Sequence, residues 1–266
     1  GYDDEFSRDH DWGPAFCIWV SSGDVIKHGR RIQNLYDSLP KKFNGFDARL
    51  ISSYGEGRVG VLETESFYRR YLGPSGLPQT LKQWLIVSEN ALATAVNGKV
   101  FFDQAGEFSA IRNALKGYYP EDVRIKKIAA RCMTAGQAGQ YNYPRSVKRK
   151  ELYAAAQAEM KFVETALSLI FLLNKRYVPF YKWAHRAVKD LPVLGKYSFE
   201  TITDLMNTAS STEKERLMEQ FSLAIISKLQ AAGLTDGTSD FLPDHGPLVQ
   251  AHIQDPEIRS YSVLIG

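Results

Sequence analysis

Asp9 and Asp11 stand one residue apart near the start of the chain, in Ser7-Arg8-Asp9-His10-Asp11-Trp12-Gly13-Pro14. The following run, Ala15-Phe16-Cys17-Ile18-Trp19-Val20, is apolar, aromatic and β-branched, which predicts a buried strand. On an extended chain, residues i and i+2 project to the same side. Two carboxylates projecting together from the leading end of a strand suit a hard divalent cation. Mg2+ is commonly held by one or two carboxylates together with substrate phosphates. The plainer role of an Asp-x-Asp is a turn whose acids accept backbone hydrogen bonds.

The elements that must position such a pair follow directly. Ser21-Ser22-Gly23-Asp24 supplies cap residues for a helix to about Leu39, which Pro40 ends. Phe46 to Ser52 and Arg58 to Thr64 read as two strands around Ser53-Tyr54-Gly55-Glu56-Gly57. Glu65 to Leu72 reads as a helix, and Gly73-Pro74-Ser75-Gly76-Leu77-Pro78 as a linker. Beyond it the pattern turns helical: Gln79 to Val96, Ser109 to Leu115, Glu121 to Ala135 after Pro120, Pro144 to Tyr177, Phe199 to Met206 and Thr212 to Ala232. The tail from Thr235, with Pro243, Pro247 and Pro256, reads as loop. The expected architecture is α+β: a small mixed-sheet domain over residues 1–76, then an all-helical domain over 77–266.

Composition sets the limits. The 266 residues are 44% hydrophobic and 24% charged, ordinary globular values, and a net charge of +3 does not by itself argue for a polyanionic partner. Two cysteines, Cys17 and Cys132, make no disulfide framework and fit a reducing cytosol. The first residues are acidic, unlike a signal peptide, and the most apolar helical stretch, Thr165 to Leu173, is too short to span a bilayer. A soluble cytoplasmic protein with no membrane partner is expected.

The stretch from Gly1 to Pro14 resembles the active-site segment of a family of uncharacterised microbial proteins. That family is catalogued as a domain of unknown function, with a nucleotidyltransferase-like first domain and a helical second one. The resemblance continues through Glu63-Thr64-Glu65-Ser66-Phe67-Tyr68, Gly136-Gln137-Ala138-Gly139-Gln140-Tyr141-Asn142, Leu173-Asn174-Lys175-Arg176-Tyr177 and Tyr181-Lys182-Trp183, ending near Asp255-Pro256-Glu257-Ile258-Arg259. It implies Mg2+-dependent transfer of a nucleotidyl group from ATP or another nucleoside triphosphate. The acceptor would be a small molecule, a protein side chain or an RNA end. By resemblance Asp9 and Asp11 hold the metal and are catalytic, while Ser7, Arg8, Lys175, Arg176, Tyr181 and Lys182 meet the nucleotide. Cations bridging the phosphates would orient the attack and neutralise developing charge.

Two departures from the family pattern stand out. The Gly-Ser turn that precedes the acid pair in that fold is not in the sequence from Gly1 on, so the expectation is either a fragment of a longer chain or a chain that lacks that leading segment. The third carboxylate, carried by active relatives between apolar residues on a later strand, is replaced by Gly60 in Val59-Gly60-Val61. Glu63 is the nearest substitute, though alternation puts it on the opposite face from position 60, and Asp47 is another. A scaffold that binds nucleotide without turning it over is the alternative.

Other signals carry less. Glu164 and Lys175 are spaced to share a helical stripe, Glu164 as a general base or a structural ion-pair partner. Lys175-Arg176 suits phosphate, or simply a solvated helix C-terminus. Gly136 to Tyr143 reads as a loop lining a site or as a turn between helices. Gly55-Glu56-Gly57-Arg58-Val59-Gly60 spells a dinucleotide fingerprint but lacks the following helix. His10-Asp11 would need a helix that Gly13-Pro14 opposes, and His28, His185, His245 and His252 lack zinc-ligand spacing. The run Arg145-Ser146-Val147-Lys148-Arg149-Lys150 is either an RNA-contacting segment or a solvated helix face.

Overall fold

The apolar run after Pro14 becomes β1 (Cys17–Val20), and Ser21 ends it by capping α1 (Ser22–Asp37), its hydroxyl accepting the Asp24 N–H at 3.2 Å. The computed structural model describes residues 5–8, 12–48 and 58–266, beginning with a single 3-10 turn at Glu5–Arg8. β2 (Lys42–Phe43) and β3 (Phe46–Asp47) form an antiparallel hairpin. Its turn residues, Asn44 and Gly45, have φ of 49° and 85°, the positive values that a two-residue hairpin favours. β4 (Gly60–Glu63) pairs with β1 in parallel, with Cys17 opposite Gly60 and Val20 opposite Glu63. A parallel pair needs a crossover, and α1 supplies it, packed on β4.

The described residues therefore hold two separate two-stranded sheets, one parallel and one antiparallel, and the structure is mostly helical. Of the strand expected over 46–52, the described part in strand is Phe46–Asp47. The second expected strand is shortened to β4, and its partner is β1.

After α2 (Thr64–Leu72) come α3 (Leu81–Ile86), α4 (Glu89–Ala95), α5 (Glu107–Lys116), α6 (Glu121–Gly136), α7 (Tyr143–Lys148) and α8 (Leu152–Leu173). They are followed by α9 (Tyr181–Val188), α10 (Gly195–Asn207), α11 (Ser211–Ala231), α12 (Leu242–Ala251) and α13 (Pro256–Ser260). The chain forms two compact units: Gly1–Leu77 with Ala95–Lys116, and Pro78–Thr94 with Gly117–Gly266. The boundary expected at residues 76/77 lies beside the point where the chain first leaves unit 1, and residues 95–116 return to that unit.

Unit 1 is held by aromatic rings. Trp19 of β1 stacks on Phe108 of α5 at 4.7 Å, and Phe67 and Tyr68 of α2 close around them. Arg112 fastens the returning segment by donating to the Val96 and Gly98 carbonyls at 2.8 and 2.6 Å. Asp103 caps the start of α5, accepting the Gly106 and Ser109 N–H groups.

Unit 2 is built on α6, which packs against both α8 and α12. Ile128, Phe162, Leu169, Met218 and Phe221 are completely buried there. The predicted helix over 79–96 is two helices: Val87 is extended at ψ 130°, and Thr80 caps α3 in a reciprocal box with Gln83. The predicted helix over 144–177 stops at Lys148 and restarts at Leu152.

The segment expected to be a loop, Gly136 to Tyr143, is instead continuously helical. Residues Gln137–Asn142 form a π-turn joining α6 to α7. Gly136 and Gly139 serve close packing, with the Pro243 ring against one and the Phe162 ring against the other, in space a Cβ would fill. Pro144 sits just past the widened turn, where its missing N–H and bulky ring are accommodated.

The tail from Thr235 carries two short helices between its loops. Pro243 and Pro256 occupy the first turns of α12 and α13, where no N–H is required, and Asp255 caps α13. These prolines mark helix starts.

Candidate functional site

Asp9 and Asp11, with His10 between them, lie outside the described residues, as do the side chains of Ser7 and Arg8. The described surroundings begin at Trp12, whose ring meets Phe46 edge-on at 5.4 Å. Glu63 ends β4 opposite Val20 and occupies the N-cap position of α2. The starts of α1 and α2 meet there, because the parallel strands end side by side. Ser22 donates to one carboxylate oxygen of Glu63, and Ser66 donates to the other at 2.5 Å. The Ser22 bond, then the Ser66 bond, hold the Glu63 carboxyl below the usual range, so it is ionised.

Gly60 lies at the opposite end of β4, three residues from Glu63 and hence about 10 Å along the strand. Its φ is +84°, and a Cβ there would come within 2.7 Å of Gln33 Oε1. That oxygen accepts the Val61 N–H at 2.9 Å, while Gln33 Nε2 donates to Asp37 at 2.8 Å. The amide of Gln33 thus fills the space a side chain at position 60 would use. Asp47 belongs to the separate hairpin, exposed and 3.8 Å from Lys42.

In unit 2, α8 ends at Leu173, so Lys175 lies past the helix and the expected stripe with Glu164 does not form. Glu164 is exposed and pairs with exposed Lys161 at 3.1 Å. Asn174 caps the end and Lys175 follows at φ +50°. The Lys175 and Arg176 N–H groups return to the Leu172 and Phe171 carbonyls, the Schellman arrangement. Glycine is usual at that left-handed position, and lysine takes it here. Lys175 Nζ is 3.5 Å from Glu121, which also holds Arg124. Those partners, Arg124 first, keep the Glu121 carboxyl below its usual range.

The backbone carrying Arg176 is braced by tyrosines. Tyr118 donates its hydroxyl to the Arg176 carbonyl at 3.2 Å, and Tyr177 packs on Tyr118 and Tyr119 at 4.8 and 5.1 Å. Tyr118 itself sits at φ +77°, a strained conformation for an aromatic residue. Tyr181 and Lys182 open α9 with their side chains exposed, and the Phe180 ring lies 4.4 Å from that of Tyr181. Exposed Lys175 and Arg176 thus precede the 177–180 connection and exposed Lys182 follows it, with the Phe180 and Tyr181 rings exposed at its end.

A polar cluster on α4, α6 and α8 was not anticipated. Ser168 donates to Glu89 and accepts from Arg131 Nε at 3.1 Å, and Arg131 also donates to Glu89 at 3.1 Å. Next to it, Lys127 donates to the Leu85 carbonyl at 3.1 Å and lies over the Tyr119 ring. Lys126 is fully buried and gives its three N–H groups to Gln250 Oε1 and the Tyr261 and Ser262 carbonyls. Burial pushes both ammonium groups down, to about 8. Three matched acceptors oppose that shift at Lys126 and keep it charged, whereas Lys127 has one carbonyl and a ring face. The only sequence signal was adjacent charges inside a helix of otherwise core-like residues.

Among the described residues, no three or more His, Cys, Asp or Glu side chains gather to hold a metal. His245 is buried between Thr235 and the Ser239 carbonyl, and His185 stacks on Phe199. No helix among the described residues is long and apolar enough to cross a membrane.

Residues 84–184 match the model of a family described as Domain of unknown function (DUF4037). The matched stretch holds the Glu89–Arg131–Ser168 cluster, the π-turn, Lys175, Arg176, Tyr181 and Lys182. It agrees with the expected kinship to an uncharacterised family. No curated protein and no solved structure matches the chain.

Proposed function

We propose that the chain is a nucleotide-binding protein on a nucleotidyltransferase-like scaffold. Asp9 and Asp11 would hold Mg2+ against the phosphates of ATP or another nucleoside triphosphate, with Ser7 and Arg8 beside them. Within unit 2, Lys175, Arg176, Tyr181 and Lys182 are the cations and ring surface to which the family resemblance gives nucleotide contact. The bound metal would supply charge neutralisation and alignment of the phosphates. The support for metal binding is the i, i+2 spacing of the two acids and the family resemblance.

The observation that favours binding over transfer is Gly60. Its φ and the hydrogen-bonded Gln33 amide leave no room for the third carboxylate. Transfer to an acceptor would require Glu63 in that role, and its ionised state favours this second reading. Its two hydroxyl partners, and its place at the far end of β4, weigh against it.

Calorimetric titration with ATP tests the binding. Mg2+-dependent binding weakened at least tenfold by Asp11→Asn is the expected result. Metal-independent binding indifferent to that substitution would overturn the reading. Pyrophosphate release in the presence of acceptor-containing lysate, abolished by Glu63→Gln, would replace it with the transferase.

A further inference from the structure

Residues 123–150 contain no Asp or Glu and eight Lys or Arg, although the rest of the chain carries 25 basic against 30 acidic residues. Four of the eight face inward and are engaged: Arg124 with Glu121, Lys126 with the 261–262 carbonyls, Lys127 with Leu85, and Arg131 with Glu89. The other four, Arg145, Lys148, Arg149 and Lys150, are all exposed. Among the described residues none of these four has an ion-pair partner. Of the nearby acids, Glu159 is engaged with Lys214, Glu213 with Arg216 and Glu219 with Gln140, while exposed Glu151 follows the run and Glu215 lies near Tyr143.

The four charges form one face. Arg145, Lys148 and Arg149 are spaced i, i+3 and i+4. Lys150 follows in the left-handed position, at φ +60°, with the Lys150 and Glu151 N–H groups closing on the Val147 and Ser146 carbonyls. Glycine would be favoured there, so the lysine is held against backbone preference. The Arg145 guanidinium lies 4.7 Å from the Tyr141 ring centre, and Tyr141 is 47% exposed. Tyr153, the second residue of α8, is 79% exposed. The inner side of the same segment is fixed: Tyr143 is buried, Gly139 lies on Phe162, and Gln140 caps α12 through the Leu242 N–H.

We propose that this face binds single-stranded nucleic acid without sequence preference. Unpaired cations track the phosphates, and exposed rings stack on unpaired bases that a duplex would hide. A membrane surface fits less well. An interfacial helix needs an apolar face free to enter lipid, and that face of α7 is occupied by the core. The proposal needs neither metal nor nucleotide and is independent of the function proposed above.

The test is fluorescence anisotropy with short labelled oligouridine and oligothymidine, a hairpin duplex of the same length, and vesicles containing phosphatidylserine. With about four phosphates neutralised, single-strand affinity is expected to fall about 50-fold between about 50 and 200 mM salt. Arg145→Gln/Lys148→Gln/Arg149→Gln/Lys150→Gln is expected to weaken binding at least tenfold and flatten that dependence. Tyr141→Ala should weaken it about fivefold or more with the salt slope kept. Lys150→Gly guards against misfolding, because glycine suits the turn while one charge is lost. It should weaken binding severalfold in a protein no less stable. The proposal is overturned if the fourfold variant binds like wild type, if the duplex binds as well as the single strands, or if only the vesicles are bound.

Discussion

Gly60→Ala is expected to destabilise unit 1 by about 2–5 kcal/mol. A non-glycine residue in a left-handed conformation costs about 1–2 kcal/mol. The new methyl would also sit 2.7 Å from Gln33 Oε1, so the amide must move. Moving it releases the Val61 N–H, and leaving a part-buried donor unpaired costs about 1–3 kcal/mol. A double-mutant cycle separates the two terms. Gln33→Ala removes the obstacle and the hydrogen bond together, so the alanine at 60 then meets only the backbone cost. The double variant should therefore be less destabilised than the sum of the singles by about 1 kcal/mol or more. Urea denaturation gives the totals, and amide hydrogen exchange of a peptide spanning β4 and α2 reports the local effect. Additive singles, or a Gly60→Ala protein within about 0.5 kcal/mol of wild type, would refute the account of Gln33 as occupant of that space.

Stability should rise between about pH 8 and pH 10, because Lys127 is pushed down to about 8 in the fold and the unfolded chain then binds more protons. The gain is bounded near 3 kcal/mol, and urea titrations of Lys127→Met should lack it. Above about pH 10 the slope should reverse, since burial raises Tyr118 and Tyr119 far above their ordinary value, and Tyr68 to about 12. Glu89→Ala is expected to cost about 2–4 kcal/mol by stranding Arg131 beside Ser168, and Ser168→Ala only about 1 kcal/mol, both by denaturation. Lys150→Gly should stabilise by about 0.5–1 kcal/mol in thermal unfolding, against the usual direction for a glycine substitution.

The parts of the fold that obey a single local rule were readable from the chain. α1 was announced by Ser21 and Asp24, and α6 by Pro120. Where two rules compete, the sequence alone misleads. Glycine means positive φ or close approach, and at Gly136 and Gly139 it is the second. Proline means a break or a helix start, and at Pro243 and Pro256 it is a start. The pairing of β4 with β1 depends on a crossover and not on adjacency, which no local pattern announces, while the turn expected around Ser53 to Gly57 lies outside the described residues. Glu63 was picked out as a carboxylate, but its seryl partners, Ser22 and Ser66, are visible only once two helix starts converge. Lys126 shows the same limit, since no pattern in the chain says that the acceptors for its ammonium lie more than a hundred residues away at Gln250 and Tyr261.

The π-turn has a consequence for how this chain can vary in length. An α-helix advances about 100° per residue, so one extra residue in the turn between α6 and α7 fixes the angular phase of everything after it. Deleting a single residue from Gln137–Asn142 would restore regular winding and swing α7 by about that angle. Tyr143 would then rotate out of the interior, and the Arg145 and Lys148 side would turn partly towards Phe162. Length is thus constrained at this one joint more tightly than residue identity, and insertions or deletions should be tolerated in the connection after Lys148 but not here.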